Sequence, residues 1–166
     1  MSMSAFEPTP ENSRELRNAL GRFGTGVTIV TALADEQPIG ITVNSFASVS
    51  LDPALVLWSV AKASARYPYF EAAQHYAIHV LDQNQASLAS LFARDAQCFD
   101  ECDWHTGANG IPLIEGTVAR FECEKLSSHD GGDHAIVVGR VVRAAHSNGE
   151  PLMFVGGEFG RFVSAA

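Results

Sequence analysis

Hydrophobic positions change period early in the chain. Leu16, Ala19, Leu20 and Phe23 fall at spacings of three, four and seven, which places them on one face of a helix. Thr9 stands as its cap, Pro10 at its first position, Glu11 in its first turn and Gly24 at its end. The stripe is expected to be the buried face. From Val27 the period falls to two: Val27, Ile29, Thr31 and Leu33 point one way and Thr28, Val30 and Ala32 the other, which predicts a strand.

Similar patterns predict strands over 39–43, 48–51, 54–60, 76–81, 117–126, 135–143 and 158–163. Two short helices are expected, over 67–73 and over 85–93, the second with Leu88, Leu91 and Phe92 as its apolar face behind Asn84 as cap. The helices are too few for regular β-α-β alternation. The expected fold class is therefore an all-β barrel with peripheral helices rather than a doubly wound parallel sheet. With 166 residues, 46% of them hydrophobic and 18% charged, the chain suits a single domain over 1–166, with 1–10 a flexible N-terminal segment.

Charge narrows the partners. A net charge of −8 with no run of Lys or Arg argues against nucleic acid. The apolar runs at 54–60 and 135–142 fall far short of the roughly 20 residues of a membrane-spanning helix, so no membrane partner is expected. The opening MSMSAFEPTPE has neither the basic flank nor the apolar core of a secretory leader, which points to a cytoplasmic protein. Cys98, Cys102 and Cys123 then read as free thiols.

The glycines of GRFGTGVTIV follow a helix and open a strand, the reverse of a dinucleotide fingerprint, and read as a turn. Between Gly40 and Arg66 the residues Thr42, Asn44, Ser45, Ser48 and Ser50 gather hydroxyl and amide groups around Phe46. An apolar strand then leads to Ser59, Lys62, Ser64 and Arg66. A flavin needs this mixture: hydrogen bonds to the pyrimidine edge of its ring, apolar cover, and hydroxyls with a cation for its phosphate. The same hydroxyls equally suit the outward faces of half-buried strands. In GGDH, Gly131 and Gly132 let the backbone approach a ligand, and Asp133 can orient the imidazole of His134 toward a nicotinamide nucleotide; a hairpin turn carrying a surface histidine fits as well.

No metal is expected. His75 and His79 lie in a strand pattern that separates them by roughly 13 Å. His129, Asp130, Asp133 and His134 lack a ligand spacing, and Cys98, Cys102 and His105 lack a second half-site. No nucleophile elbow or carboxylate pair suggests hydrolysis, and no single acid or base is assigned as catalytic. Such a chain suits a cofactor enzyme that aligns donor and acceptor at about 3 to 3.5 Å and excludes water.

Together the blocks LRNALGRFGTGVTIVT, GITVNSFASVSLDPALVLWSV, GDH with its apolar strand, and PLMFVGGEFGRF resemble, in order and spacing, the short-chain flavin reductase family, the reductase components of two-component flavin-dependent monooxygenases. The resemblance runs from Leu16 to Phe162. It implies an FMN-binding split β-barrel of Greek-key type and a homodimer with flavin near the subunit interface. The implied reaction is reduction of free FMN or FAD by NADH or NADPH for a transient monooxygenase partner. Position by position it implies flavin contacts at Thr42, Asn44, Ser45, Phe46, Ser48, Val49 and Ser50. The phosphate end falls to Ser59, Lys62, Ser64 and Arg66, and nicotinamide binding to His134 and Asp133. Tyr67, His79 and the SSHDG preceding GDH depart from the family pattern. The lack of an arginine cluster beside GDH leans to NADH. Two other functions suit the same barrel: a non-catalytic flavin-binding electron carrier, and a flavoenzyme that holds FMN tightly and reduces another acceptor.

Overall fold

A computed structural model describes residues 3–165; Met1 and Ser2, the start of the expected flexible segment, lie outside the described residues. Twelve strands and three α-helices are present in that range. In chain order they are α1 (Ser13–Leu20), β1 (Thr25–Gly26), β2 (Thr28–Ala34), β3 (Gln37–Val43), β4 (Ala47–Leu51), β5 (Ala54–Ala61) and α2 (Tyr67–Ala72). There follow β6 (His75–Val80), α3 (Ala86–Arg94), β7 (Trp104–Thr106), β8 (Pro112–Ile114), β9 (Ala119–Gly131), β10 (His134–His146), β11 (Leu152–Val155) and β12 (Glu158–Arg161).

Seven strands form one antiparallel sheet in the order β3-β2-β6-β9-β10-β5-β4. One set of faces meets in a common core: Val30 and Ala32 of β2, Ile39 of β3, Val56, Trp58 and Val60 of β5, Tyr76 and Ile78 of β6, Cys123 of β9, and Ala135 and Val137 of β10. The sheet is thus curled into a barrel, with Phe70 of α2 packed into the same core. Its edge strands β3 and β4 share no ladder. In the link from β3 to β4, Ser45 bonds β5: its Oγ donates to the Ser59 carbonyl at 3.1 Å and accepts from the Ser59 N–H at 2.9 Å. The result is a split barrel.

Both faces of β2 are buried, as its alternation requires if each side meets a separate core. Val27 and Ile29 join Leu88, Ala89, Phe92 and Leu152 in a second cluster under α3. Gly40 makes this contact possible, because a Cβ there would come within 2.6 Å of the Phe92 ring. The pair β7–β8 covers the neighbouring outer face, where Ala77 packs with Ile111 and Leu113 and Thr31 Oγ1 donates to the Pro112 carbonyl at 2.5 Å.

The first helix departs from expectation. Pro10–Asn12 is a 3-10 turn, the α-helix begins at Ser13, and Gly21 rather than Gly24 ends it, its N–H reaching the Arg17 carbonyl at 2.9 Å. None of its residues is buried; Leu16, Leu20 at 65% and Phe23 at 79% are exposed. The helix meets the β11–β12 turn through backbone, by the bond from the Gly156 N–H to the Gly21 carbonyl, so its apolar stripe stays uncovered by this chain. Asn84 does not cap α3; Gln85 occupies that position while the Asn84 N–H bonds the Asp82 carboxylate. Strands β1, β7, β8 and β11 are two to four residues long, too short to show a period, and were not expected.

His79 is fully buried, and its two ring nitrogens are both used. Nδ1 lies 3.1 Å from the Ile29 carbonyl, which can only accept, and Nε2 lies 3.1 Å from the Ile114 N–H, which can only donate. The ring is therefore the neutral Nδ1–H tautomer, stitching β6 to β2 and β8. Burial pushes its pKa down to about 3. The unfolded chain binds this proton near pH 6.5 and the folded chain only near pH 3, so the stability His79 contributes is complete above about 6.5 and lost as pH falls, at up to about 1.4 kcal/mol per pH unit. Urea midpoints of the wild type should drop from pH 7 to pH 4.5 more steeply than those of His79→Gln; parallel slopes would refute the neutral clamp.

Gly139 of β10 faces Tyr76 across the core. A Cβ there would collide with the buried Tyr76 hydroxyl and stand 2.9 Å from Cζ and 3.3 Å from Cys123 Cβ. Gly139→Ala should lower the unfolding free energy by about 3 kcal/mol, the upper range for overpacking, as read by urea titration, whereas Gly160→Ala, with open space around its Cβ, should not.

Candidate functional site

A cleft of about 1090 Å³ lies between β3, the start of α2 and the C-terminal end of α3 with the 95–97 segment that follows it. That volume admits a nucleotide-sized ligand. Three of the residues expected to contact a flavin line it: Thr42, Ser64 and Arg66. Its position follows from local bonds. Thr42 points to the outer face of β3, where its Oγ1 donates to the Ala89 carbonyl at 2.7 Å and holds α3 in place. The Gly40 N–H takes the Ala96 carbonyl at 2.9 Å and fixes the segment beyond α3. Arg66 crosses to the same helix, Nη1 donating to the Phe92 carbonyl at 2.5 Å and Nη2 to the Ala93 carbonyl at 3.4 Å, where a cation complements the helix C-terminus. Burial draws the Arg66 pKa below its ordinary value, with Asp95 opposing the shift.

The other expected flavin residues lie around the seam. Asn44, Ser48 and Val49 are exposed, Val49 at the point where the β4–β5 register shifts. Ser50 is half-buried. Ser45 spends its hydroxyl on Ser59, and the Phe46 ring stacks on Phe121 at 5.5 Å, packed against the barrel core. Ser64 Oγ accepts the Arg66 N–H at 3.2 Å and keeps its own proton free to donate. Lys62 does not join this group: its Nζ pairs with the Asp130 carboxylate and donates to the Gly132 carbonyl at 2.7 Å.

The turn that receives Lys62 carries the GDH residues. Gly132 and Asp133 form the two-residue loop between the paired Gly131 and His134, with Gly132 at φ +78°. Positive φ at the first loop position alone matches the hairpin type that demands glycine there. His134 Nδ1 bonds the Asp133 carboxylate at 2.7 Å, which holds the Asp133 pKa below its usual value. The carboxylate accepts, so Nδ1 carries the proton and Nε2 is the free ring nitrogen. Across the ladder His134 is paired with Ala61, a residue of the cleft wall, and cross-strand pairs share a face. The cleft and the His134–Asp133 pair thus adjoin through one strand register.

Tyr69, Arg94, Asp95 and Gln97 also line the cleft. Sequence reading missed them because they are ordinary surface positions; only the docking of α3 on Gly40 and Thr42 brings the last three to this wall. The residues fit a flavin nucleotide in kind. Ser64 and Arg66 offer a donor and a cation, and Asn44 and Ser48 remain free to bond a ring edge.

Residues 20–162 match the family described as the flavin reductase like domain. The chain is 60% identical over 157 residues to the FMN reductase (NADH) SmoA of Agrobacterium fabrum, covering 95% of this chain and 90% of that protein. It is 48% identical over 130 residues to the reductase component of the flavin-dependent trigonelline monooxygenase of Acinetobacter baylyi, covering 77% of this chain and 42% of that longer protein. The structure of the NADH:FAD oxidoreductase SgcE6 of Streptomyces globisporus in complex with NAD and FAD fragments matches with a TM-score of 0.90 at 40% identity, over 98% of this chain and 99% of that one. By family match, sequence relatives and split-barrel architecture together, the chain belongs to the flavin reductase family.

Proposed function

We propose that this chain is an NADH-dependent flavin reductase that takes up FMN or FAD in the cleft and releases it, reduced, to a flavin-dependent monooxygenase. The observation that carries this reading is the β5–β10 register, which sets the His134–Asp133 pair beside Ala61 at the edge of the cleft. Relatives named FMN reductase (NADH) and NADH-dependent FAD reductase support the reaction, and relatives named reductase components of monooxygenases support the partner.

A bound flavin would supply at its N5 the acceptor for the hydride of nicotinamide C4, with a solvent proton completing its reduction and NAD⁺ left as product. The protein aligns the two molecules. Ser64 and Arg66 hold the flavin phosphate end, with Thr42 setting the wall that α3 provides. Asn44, Ser48 and the backbone of 45–50 meet the ring along the seam, which is open at this edge of the barrel. Asp133 fixes the His134 tautomer and ring plane, leaving Nε2 for the nicotinamide nucleotide. The Asp133 carboxylate bonded to His134 disfavours a 2′-phosphate there, which supports NADH over NADPH. The uncovered stripe of Leu16, Leu20 and Phe23 supports a homodimer, and three free thiols suit a cytoplasmic location. Among the described residues no helix is long and apolar enough to cross a membrane.

Anaerobic mixing of the protein with excess FMN and NADH should bleach the flavin absorbance over many turnovers. Bleaching of one equivalent only marks a tightly held flavin, and none with either nicotinamide marks a carrier; both outcomes reject the reductase. His134→Ala should raise the KM for NADH about tenfold, the equivalent of one hydrogen bond of about 1.4 kcal/mol, with a smaller change in kcat. Unchanged constants would remove His134 from the site.

A further inference from the structure

We propose that Lys62 is a positioning residue for the nicotinamide half of the site, locking the turn before His134 through Asp130 and Gly132, rather than a ligand of the flavin phosphate. The proposal rests on the reading of His134 above. Lys62 directly follows Ala61, the partner of His134 in the β5–β10 ladder. Its backbone N–H donates to the Asp133 carbonyl at 2.9 Å, its Nζ donates to the Gly132 carbonyl at 2.7 Å, and the same Nζ pairs with the Asp130 carboxylate. One residue thus fastens three of the four residues from 130 to 133 to the end of β5.

Beyond the β9–β10 ladder, little side-chain packing holds that turn. A Cβ on Gly132 would meet nothing within 4 Å, and the side chains of Asp130 and Asp133 are 79% and 93% exposed. His129, the next polar side chain along β9, is engaged with Ser127 instead. An exposed ion pair alone contributes little. Here the ammonium also bonds a backbone carbonyl inside the turn, so it fixes the direction of the loop as well as its charge, and with it the Asp133 carboxylate that orients His134. The pairing raises the Lys62 pKa and lowers that of Asp130, which keeps both charged over the working range. A flavin phosphate, by contrast, would have to draw Nζ away from Asp130, while Ser64 and Arg66 already stand in the cleft wall and Lys62 does not.

Asp130 separates the two roles, because it reaches the site only through Lys62. With Lys62→Met, Lys62→Arg, Asp130→Asn and the Lys62→Met/Asp130→Asn double variant, KM for NADH, kcat and the Kd for FMN are measured in parallel with His134→Ala. The expected result is a rise of about three- to tenfold in the NADH KM for Lys62→Met and Asp130→Asn, the scale of a hydrogen bond to a charged group reduced by exposure. The double variant should be no worse than Lys62→Met, and Lys62→Arg should stay near wild type. The Kd for FMN and kcat should move less than about twofold, a split that general loss of structure does not produce. If Lys62→Met weakens FMN binding while Asp130→Asn leaves the NADH KM unchanged, Lys62 is a phosphate ligand and the proposal is overturned. If His134→Ala leaves the NADH KM unchanged, the nicotinamide reading itself fails. A normal His134→Ala effect with silent Lys62 and Asp130 variants overturns the lock alone.

Discussion

Trp58, Phe70 and Tyr76 meet edge to face inside the barrel, Trp58 with its ring centroid 5.3 Å from Phe70 and 5.8 Å from Tyr76. All three are buried to within a percent or so. Such contacts contribute about 0.5–1.5 kcal/mol each beyond the area they bury. Their larger effect is geometric, because they come from β5, α2 and β6. In the sheet order β10 and β9 separate β5 from β6, and Phe70 of the connection between them is anchored in the barrel core. The start of α2, with Ser64 and Arg66 just before it, is thereby held against the end of β5, and one wall of the cleft is set by the filling of the core.

The opposite wall depends on a second contact of the same kind. Phe92 of α3 lies on Gly40, and Arg66 joins the two walls by bonding the carbonyls at the end of that helix. The functional end of the molecule is therefore built from rigid elements, while the His134–Asp133 pair is carried on a glycine turn. Two long strands, β9 and β10, carry it, and β10 is paired with β5 up to His134 itself. This division explains why a contact as small as that of Lys62 with the turn matters: it joins the rigid half of the site to the exposed half.

The strands of the barrel were legible because their alternation reports a face, and β2 shows it most directly, with Val30 and Ala32 in one core and Ile29 in the other, beside Val27 just before the strand. The first helix shows the limit of the same logic. Its spacing correctly gives an amphipathic helix, but periodicity says which residues share a face and nothing about what covers that face. The end strand Leu152–Val155 escaped because a short continuous apolar run has no period, and the cleft residues Arg94 to Gln97 because their site is made by docking rather than by local pattern.

The hydroxyl cluster of 42–50 also shows why composition could not decide between a ligand site and decorated strands. For two members the structure decides. Thr42 and Ser45 spend their hydroxyls within the fold, one holding α3 and the other bonding Ser59 of β5. Asn44 and Ser48 stay exposed beside them. Leaving the seam unpaired costs the barrel a ladder, and Ser45 claims two backbone groups of Ser59 at the adjoining end of the β4–β5 ladder. The same opening leaves backbone and amide groups unclaimed along an edge of the sheet, beside a nucleotide-sized cleft. A fully zipped barrel would have satisfied those groups internally and left a planar polar ring nothing to bind.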